Sequence, residues 1–184
     1  MVRAILEGRK TQTRRIVKPQ PERCSGCQSC NYIGDHFTQP LPKCPYGAAE
    51  TKLWVREAWA QTLSGDYIYK ANYCEEHPPM GLRGNWKPSI HMPKEAARIF
   101  LEISEIRVER LHDISECDSL AEGIDYKDYG DYQRYFDYQN HLFSFASLIW
   151  SFRSLWKSIN GEESWDSNPW VWVVSFEKKW LISS

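Results

Sequence analysis

The run Trp170-Val171-Trp172-Val173-Val174-Ser175-Phe176 constrains the fold of this chain more than any other stretch. β-branched and aromatic side chains follow one another directly after Asn168-Pro169, and the run predicts a buried strand. A second strand is written from Ala97 onward. Ile99, Leu101 and Ile103 alternate, and Ile106 and Val108 follow with the alternation displaced by one residue. That displacement predicts a bulge or bend in one long strand, or two short strands meeting at Ser104-Glu105. Tyr67 to Tyr73 also alternates and follows a good turn at Ser64-Gly65-Asp66, which predicts a further strand. Residues 52–60 mix strand formers with an embedded Arg56-Glu57 pair.

Helical signals are fewer. Leu142, Phe145, Ala146, Ile149, Phe152, Trp156 and Ile159 recur at three- and four-residue spacings, predicting an amphipathic helix over 142–159 closed by Asn160-Gly161. Ser115 and Asp118 stand at the spacing of a capping box, so a short helix is expected from about Glu116 to Glu122, with Gly123 ending it. Val2, Ala4, Ile5 and Leu6 suit another short helix, stopped at Gly8, before an extended segment from Thr11 to Val17. Short strands interrupted by short helices, with one longer helix late, predict an α+β fold on a small, irregular β-barrel with flanking helices. The length of 184 residues fits one domain spanning 1–184. Two insertions are expected in it. Residues 19–47 form a cysteine-rich loop, and 125–141 a polar stretch whose tyrosines at 126, 129, 132, 135 and 138 drift around any helix.

No apolar run approaches the roughly 20 residues of a membrane span, and no apolar core follows the charged start as in a signal peptide. A cytoplasmic protein with no membrane partner is the expectation. Six cysteines are then more naturally thiols or metal ligands than disulfides. Cys24, Cys27 and Cys30 follow a C-x2-C-x2-C spacing, Cys44 comes after thirteen further residues, and His36 lies between. Zinc takes four such ligands in a tetrahedron, so the set is compatible with a structural zinc that would order the loop. Free cysteines or an iron–sulfur cluster are the alternatives. Cys74 and Cys117 stand alone and read as structural.

Charge is concentrated at the start. Arg3, Arg9, Lys10, Arg14, Arg15 and Lys18 stand against the single acid Glu7, although the whole chain carries −1. The segment suits a solvated face, a phosphate-binding surface, or a site where lysine activates a hydroxyl. Glu122 falls at a helix C-terminus, where an acid opposes the helix dipole unless a cation faces it. Nine tryptophans and ten tyrosines suit a half-wet pocket or a base-stacking surface, though packing accounts for most of them. A proline-rich loop over 78–93 holds Trp86 and His91, the latter an acid/base candidate or a hydrogen-bonded structural residue.

The opening Gly8-x-Lys10-Thr11-x-Thr13-x-Arg15 resembles the signature of ASCH domains, a branch of the PUA-like superfamily. Trp54-Val55-Arg56-Glu57, residues 86–93, residues 97–102, Asp113-Ile114-Ser115 with Ala121-Glu122-Gly123, and Asn168 to Trp172 resemble the larger ASCH proteins of bacteriophages and prophages. The resemblance implies a PUA-like β-barrel with a cleft, an RNA or nucleoside substrate and the cytoplasm of a bacterial host. The alternatives are a non-catalytic module that binds RNA or a modified base, and a phage accessory or morphogenesis protein acting through contacts with phage proteins. Small enzymes of the family are amidohydrolases that deacylate N4-acetylcytidine without a cofactor. Carried over by motif, the catalytic set is Thr13 as nucleophile, Lys10 as its base and Glu122 as the orienting acid. Arg15, with Arg14, Trp54, Trp86 and His91, would bind substrate. Two departures stand out. Longer members have a strand before the opening motif that is not found here, and Glu50-Thr51 replaces their Gly-Asp ahead of the Trp-Val-Arg-Glu block.

Overall fold

The computed structural model describes residues 1–21, 40–73 and 79–179. In chain order its elements are α1 (Val2–Leu6), β1 (Gln12–Ile16), β2 (Lys52–Trp54), β3 (Trp59–Gln61), β4 (Tyr67–Tyr69), β5 (Phe100–Arg110), α2 (Glu116–Ala121), β6 (Tyr126–Asp128), β7 (Gln133–Asp137), β8 (Leu142–Phe145), α3 (Leu148–Asn160) and β9 (Trp170–Lys179), joined in part by short 3-10 turns. The architecture is α+β. A curled antiparallel sheet in the order β1-β9-β5-β2 forms half a barrel, and helices pack on it.

Strand β9 is the apolar run extended by three residues, and it lies inside the sheet between β1 and β5. Every residue from Trp170 to Val174 is buried, because strands flank it and packed side chains cover both faces. Val171, Val173 and Ile16 face α3, whose Leu148, Phe152, Leu155 and Trp156 close one core. Trp172, Val174, Val17 and Ile103 face the other way, into the curl. That layer continues through Leu101, Ile99 and Phe176 beneath Ile5 of α1. The β5–β9 register shifts between Ile103 and Glu105, at the break in alternation. The extra residue keeps Ile103, Ile106 and Val108 against the same core.

Three expectations change. The stretch over 142–159 is not one helix, since Leu142–Phe145 is strand β8 and α3 starts only after Ser147. Two apolar residues three apart fit a short strand as well as a helix turn, and pairing with β7 sets Phe143 edge-on to Phe136 with ring centroids 5.0 Å apart. The tyrosine stretch is likewise regular: β6, β7 and β8 form a three-stranded sheet, with Tyr135 and Tyr138 packed on the α3 core. Strand β4 stops at Tyr69, where Lys70–Asn72 turn into a 3-10 helix.

The Arg56-Glu57 pair divides. Glu57 is buried, and Arg98 grips its two carboxylate oxygens at 2.7 and 2.8 Å. Arg98 also lies 4.0 Å above the Tyr69 ring, so one clasp ties the β2–β3 connection to β4 and to the start of β5. No helix among the described residues is long and apolar enough to cross a membrane.

Candidate functional site

The opening motif and the end of α2 meet through backbone first. Gly8, at φ +76°, turns the chain out of α1. Lys10 then bridges Glu122, and the Thr11 amide donates to Ala121 O at 2.8 Å. Helix α2 is held at its start by the expected capping box, in which Ser115 Oγ accepts from the Asp118 amide at 3.0 Å. Gly123 follows the helix at φ +80°, and a Cβ there would lie 2.7 Å from Lys10 Cβ and 3.0 Å from Ala4 Cβ. Glycine is therefore required twice over, for the left-handed turn and for the close approach of Lys10.

That approach buries an ion pair. Lys10 Nζ stands 2.7 Å from Glu122 Oε2, with the two side chains 3% and 4% exposed. The ammonium also donates to the Gln12 and Glu122 carbonyls, each at 2.8 Å, so all three of its protons have acceptors. Burial nevertheless holds the Lys10 pKa below its usual value, against the opposing pull of Glu122. The acid at the helix end thus has the cation its position demands.

Arg14 extends the pair into a network. Its side chain is fully buried, with Nη1 donating to Gln12 Oε1 at 2.6 Å and to Glu122 Oε1 at 3.3 Å. Nη2 donates to Glu109 Oε1 at 2.6 Å and stands 3.3 Å from Asp118 Oδ2. Arg107 closes the circuit by bonding Glu109 and Asp118, each at 3.0 Å. Lys10, Arg14 and Arg107 therefore face Glu109, Asp118 and Glu122, and the exposed Glu105 stands 3.8 Å from Arg107 at the outer edge. Burial works against ionisation of Asp118, but hydrogen bonds from Ser115 and Arg107 and the charge of Arg14 outweigh it and hold its pKa below the usual value.

The other expected site residues lie elsewhere. Strand alternation puts Gln12 and Arg14 on the α3 face and Thr13 and Arg15 on the opposite one. Thr13 stands opposite Val174 on the inside of the curl, its buried hydroxyl oxygen without a hydrogen-bond partner among the described residues. No hydrogen bond joins Thr13 to Lys10. Arg14, expected on substrate, is instead enclosed by protein. Arg15 is exposed and donates to the Arg14 carbonyl at 3.0 Å. Trp86 is half-buried beside Tyr73, ring centroids 5.9 Å apart. His91 is exposed in the 3-10 turn Ser89–His91. Cys24, Cys27, Cys30 and Cys74 lie outside the described residues. Cys44 is half-buried, forms no disulfide among the described residues and packs with Leu41 and Tyr46 against the barrel core, and Cys117 is exposed on α2.

Trp54 borders a separate feature, a pocket of 580 Å³ at the edge strand β2, walled by Lys52, Trp54, Phe100 and the turn carrying Lys94 and Glu95. Its volume lies within the range of small-ligand sites. Sequence reasoning did not find Gln12, Arg107 or Glu109, and gave Asp118 only a capping role. The signal lay in spacing: Gln12 and Arg14 share one parity on their strand, as Arg107 and Glu109 do on theirs.

Fold and site together define an α+β half-barrel domain with a buried ionic centre under its first strand. No family model, curated protein or solved structure matches the chain.

Proposed function

We propose that this chain is a nucleoside- or RNA-binding domain of the ASCH type. The observation that carries the reading is the buried Lys10–Glu122 pair, which joins the motif's lysine to an acid 112 residues away at the place where the family resemblance requires one. The family's chemistry goes further, to hydrolysis of an N4-acylated cytidine. In that reaction Lys10 would take the Thr13 proton as the Thr13 oxygen attacks the acyl carbonyl. The C–N bond would break as Lys10 returns the proton to the exocyclic nitrogen, and water would then hydrolyse the acyl-Thr13 ester, with Glu122 orienting the lysine or the leaving nitrogen. The step needs a neutral lysine within reach of the hydroxyl. Here Lys10 donates to three acceptors and Thr13 occupies the opposite face of β1. This geometry favours binding without turnover, with Lys10 and Glu122 as a structural pair.

Turnover separates the two readings. For a binding module, N4-acetylcytidine is released as cytidine no faster by the chain than by Lys10→Ala or Thr13→Ala. Hydrolysis that falls by about 100-fold or more in both variants would establish the enzyme instead. The structural zinc is a reading of the cysteine spacing, with Cys44 its one described ligand. Less than about half an equivalent of zinc in protein purified without chelator overturns it.

A further inference from the structure

The pocket beside β2 brings three things together: open volume, aromatic walls and two exposed lysines without an ion pair among the described residues. Trp54 and Phe100 stand opposite each other in the β2–β5 pairing, so their side chains share one face of the sheet. Leu101 packs toward α1, and its partner Leu53 touches that cluster and also lines the pocket. An indole and a phenyl ring on one face, with Leu53 beside them, make the apolar wall of the cavity. Lys52 also lies on β2, and Lys94 belongs to the 3-10 turn Lys94–Ala96, which lines the same cavity. Both lysines are exposed, and neither forms an ion pair among the described residues. Glu95 is the one acid on the wall, so the lining carries a net positive charge. Arg56 adds a further cation nearby, its guanidinium 4.8 Å from the centre of the Trp54 ring and bonded to the Ile90 carbonyl at 3.3 Å.

The geometry points to this pocket as the site of a nucleotide, with the base held against Trp54 and Phe100 and the phosphate held by Lys52 and Lys94. The assignment rests on the nucleoside-binding reading and gives it a location away from the opening motif. Stacking on an indole is tolerant of base identity, so the aromatic walls supply affinity rather than sequence choice. Two lysines reach a phosphate as point charges and favour a nucleotide over the corresponding nucleoside. The Glu95 carboxylate accepts hydrogen bonds and suits an exocyclic amine or a ribose hydroxyl. The phosphate belongs either to a free mononucleotide or to a single strand, and both present the same chemistry to the pocket.

Calorimetric titrations of the full chain with cytidine, cytidine 5′-monophosphate, a short cytidine oligonucleotide and inorganic phosphate test the assignment. The monophosphate should bind about tenfold more tightly than cytidine, and Trp54→Ala should weaken it by at least about tenfold. Lys52→Gln with Lys94→Gln changes two exposed side chains and leaves the fold intact. It should abolish the preference for the phosphate while sparing cytidine. An oligonucleotide binding much more tightly than the monophosphate identifies a strand as the source, and equal affinity identifies the free nucleotide. Monophosphate binding that survives both sets of substitutions but is lost in Lys10→Ala or Thr13→Ala overturns the pocket and leaves the nucleoside reading standing. Inorganic phosphate binding as tightly as the monophosphate overturns the stacking role. Failure of every nucleoside, nucleotide and strand to bind overturns both.

Discussion

Lys10 is held between two opposing forces. Burial removes its ammonium from water and lowers its pKa from 10.5, while the Glu122 carboxylate raises it, and burial is the larger effect. The folded value is therefore the lower one, and between the two values the unfolded chain binds more protons. Stability from this residue rises with pH as folded Lys10 loses its proton, and the rise ends near the unfolded value of 10.5. Below the folded value both states hold the proton and Lys10 adds no slope. The expected outcome is that the chain gains stability relative to Lys10→Met over the alkaline range below 10.5, measured by urea unfolding at a series of pH values. A difference that shrinks there would mean that Glu122 outweighs burial. That Glu122 needs a cation was legible in the sequence, because an acid at a helix end opposes the dipole, but only the motif resemblance pointed to Lys10 as that cation. The position of Thr13 was not, because residue spacing alone does not say which face of β1 meets the core.

Among the elements, the junction of α2 with the opening motif depends on Gly123. Its φ of +80° strains any other residue, and a Cβ would press on Lys10 and Ala4. Gly130 is the natural comparison, since it has φ +88° and nothing within 4 Å of a built Cβ. Gly130→Ala should cost about 1 kcal/mol from backbone strain alone, and Gly123→Ala distinctly more, about 2–4 kcal/mol, in the same denaturation assay. Equal losses would show that the Lys10 contact relaxes freely. The same contrast explains which elements could be read in advance. The capping box at Ser115, the terminating glycines and the β5 bulge are local signals, complete within a few residues. Strand β8 has no such signal, because its conformation is set by β7, and Leu142 and Phe145 taken alone continue the periodicity of α3.

At the scale of the whole molecule, the ionic centre joins segments that are remote in sequence: Lys10 and Arg14 near the start, Arg107 and Glu109 on β5, and Asp118 and Glu122 on and after α2. The strand order creates it, since β9 brings β1 and β5 to its two sides, and only the folded chain places α2 over them. Arg14 is its hinge, touching Glu109, Asp118 and Glu122 from a fully buried position. Arg14→Met keeps much of the apolar stem but leaves Glu109, Asp118 and Glu122 without the cation they share. At neutral pH this should cost about 3–5 kcal/mol, the range for removing one partner from a buried charge pair. Acid should narrow the gap. In the native network the Asp118 pKa lies below its ordinary 3.8, so its contribution is present above 3.8 and is lost as pH falls through the lower folded value. Without Arg14 that depression weakens, Asp118 protonates at higher pH, and the variant has less stability left to lose. Denaturation of both chains between neutral pH and about pH 3 should therefore show curves that converge toward acid. Parallel curves would mean that Arg14 stabilises the fold through its packing against Phe152, 5.8 Å from the ring centre, rather than through charge.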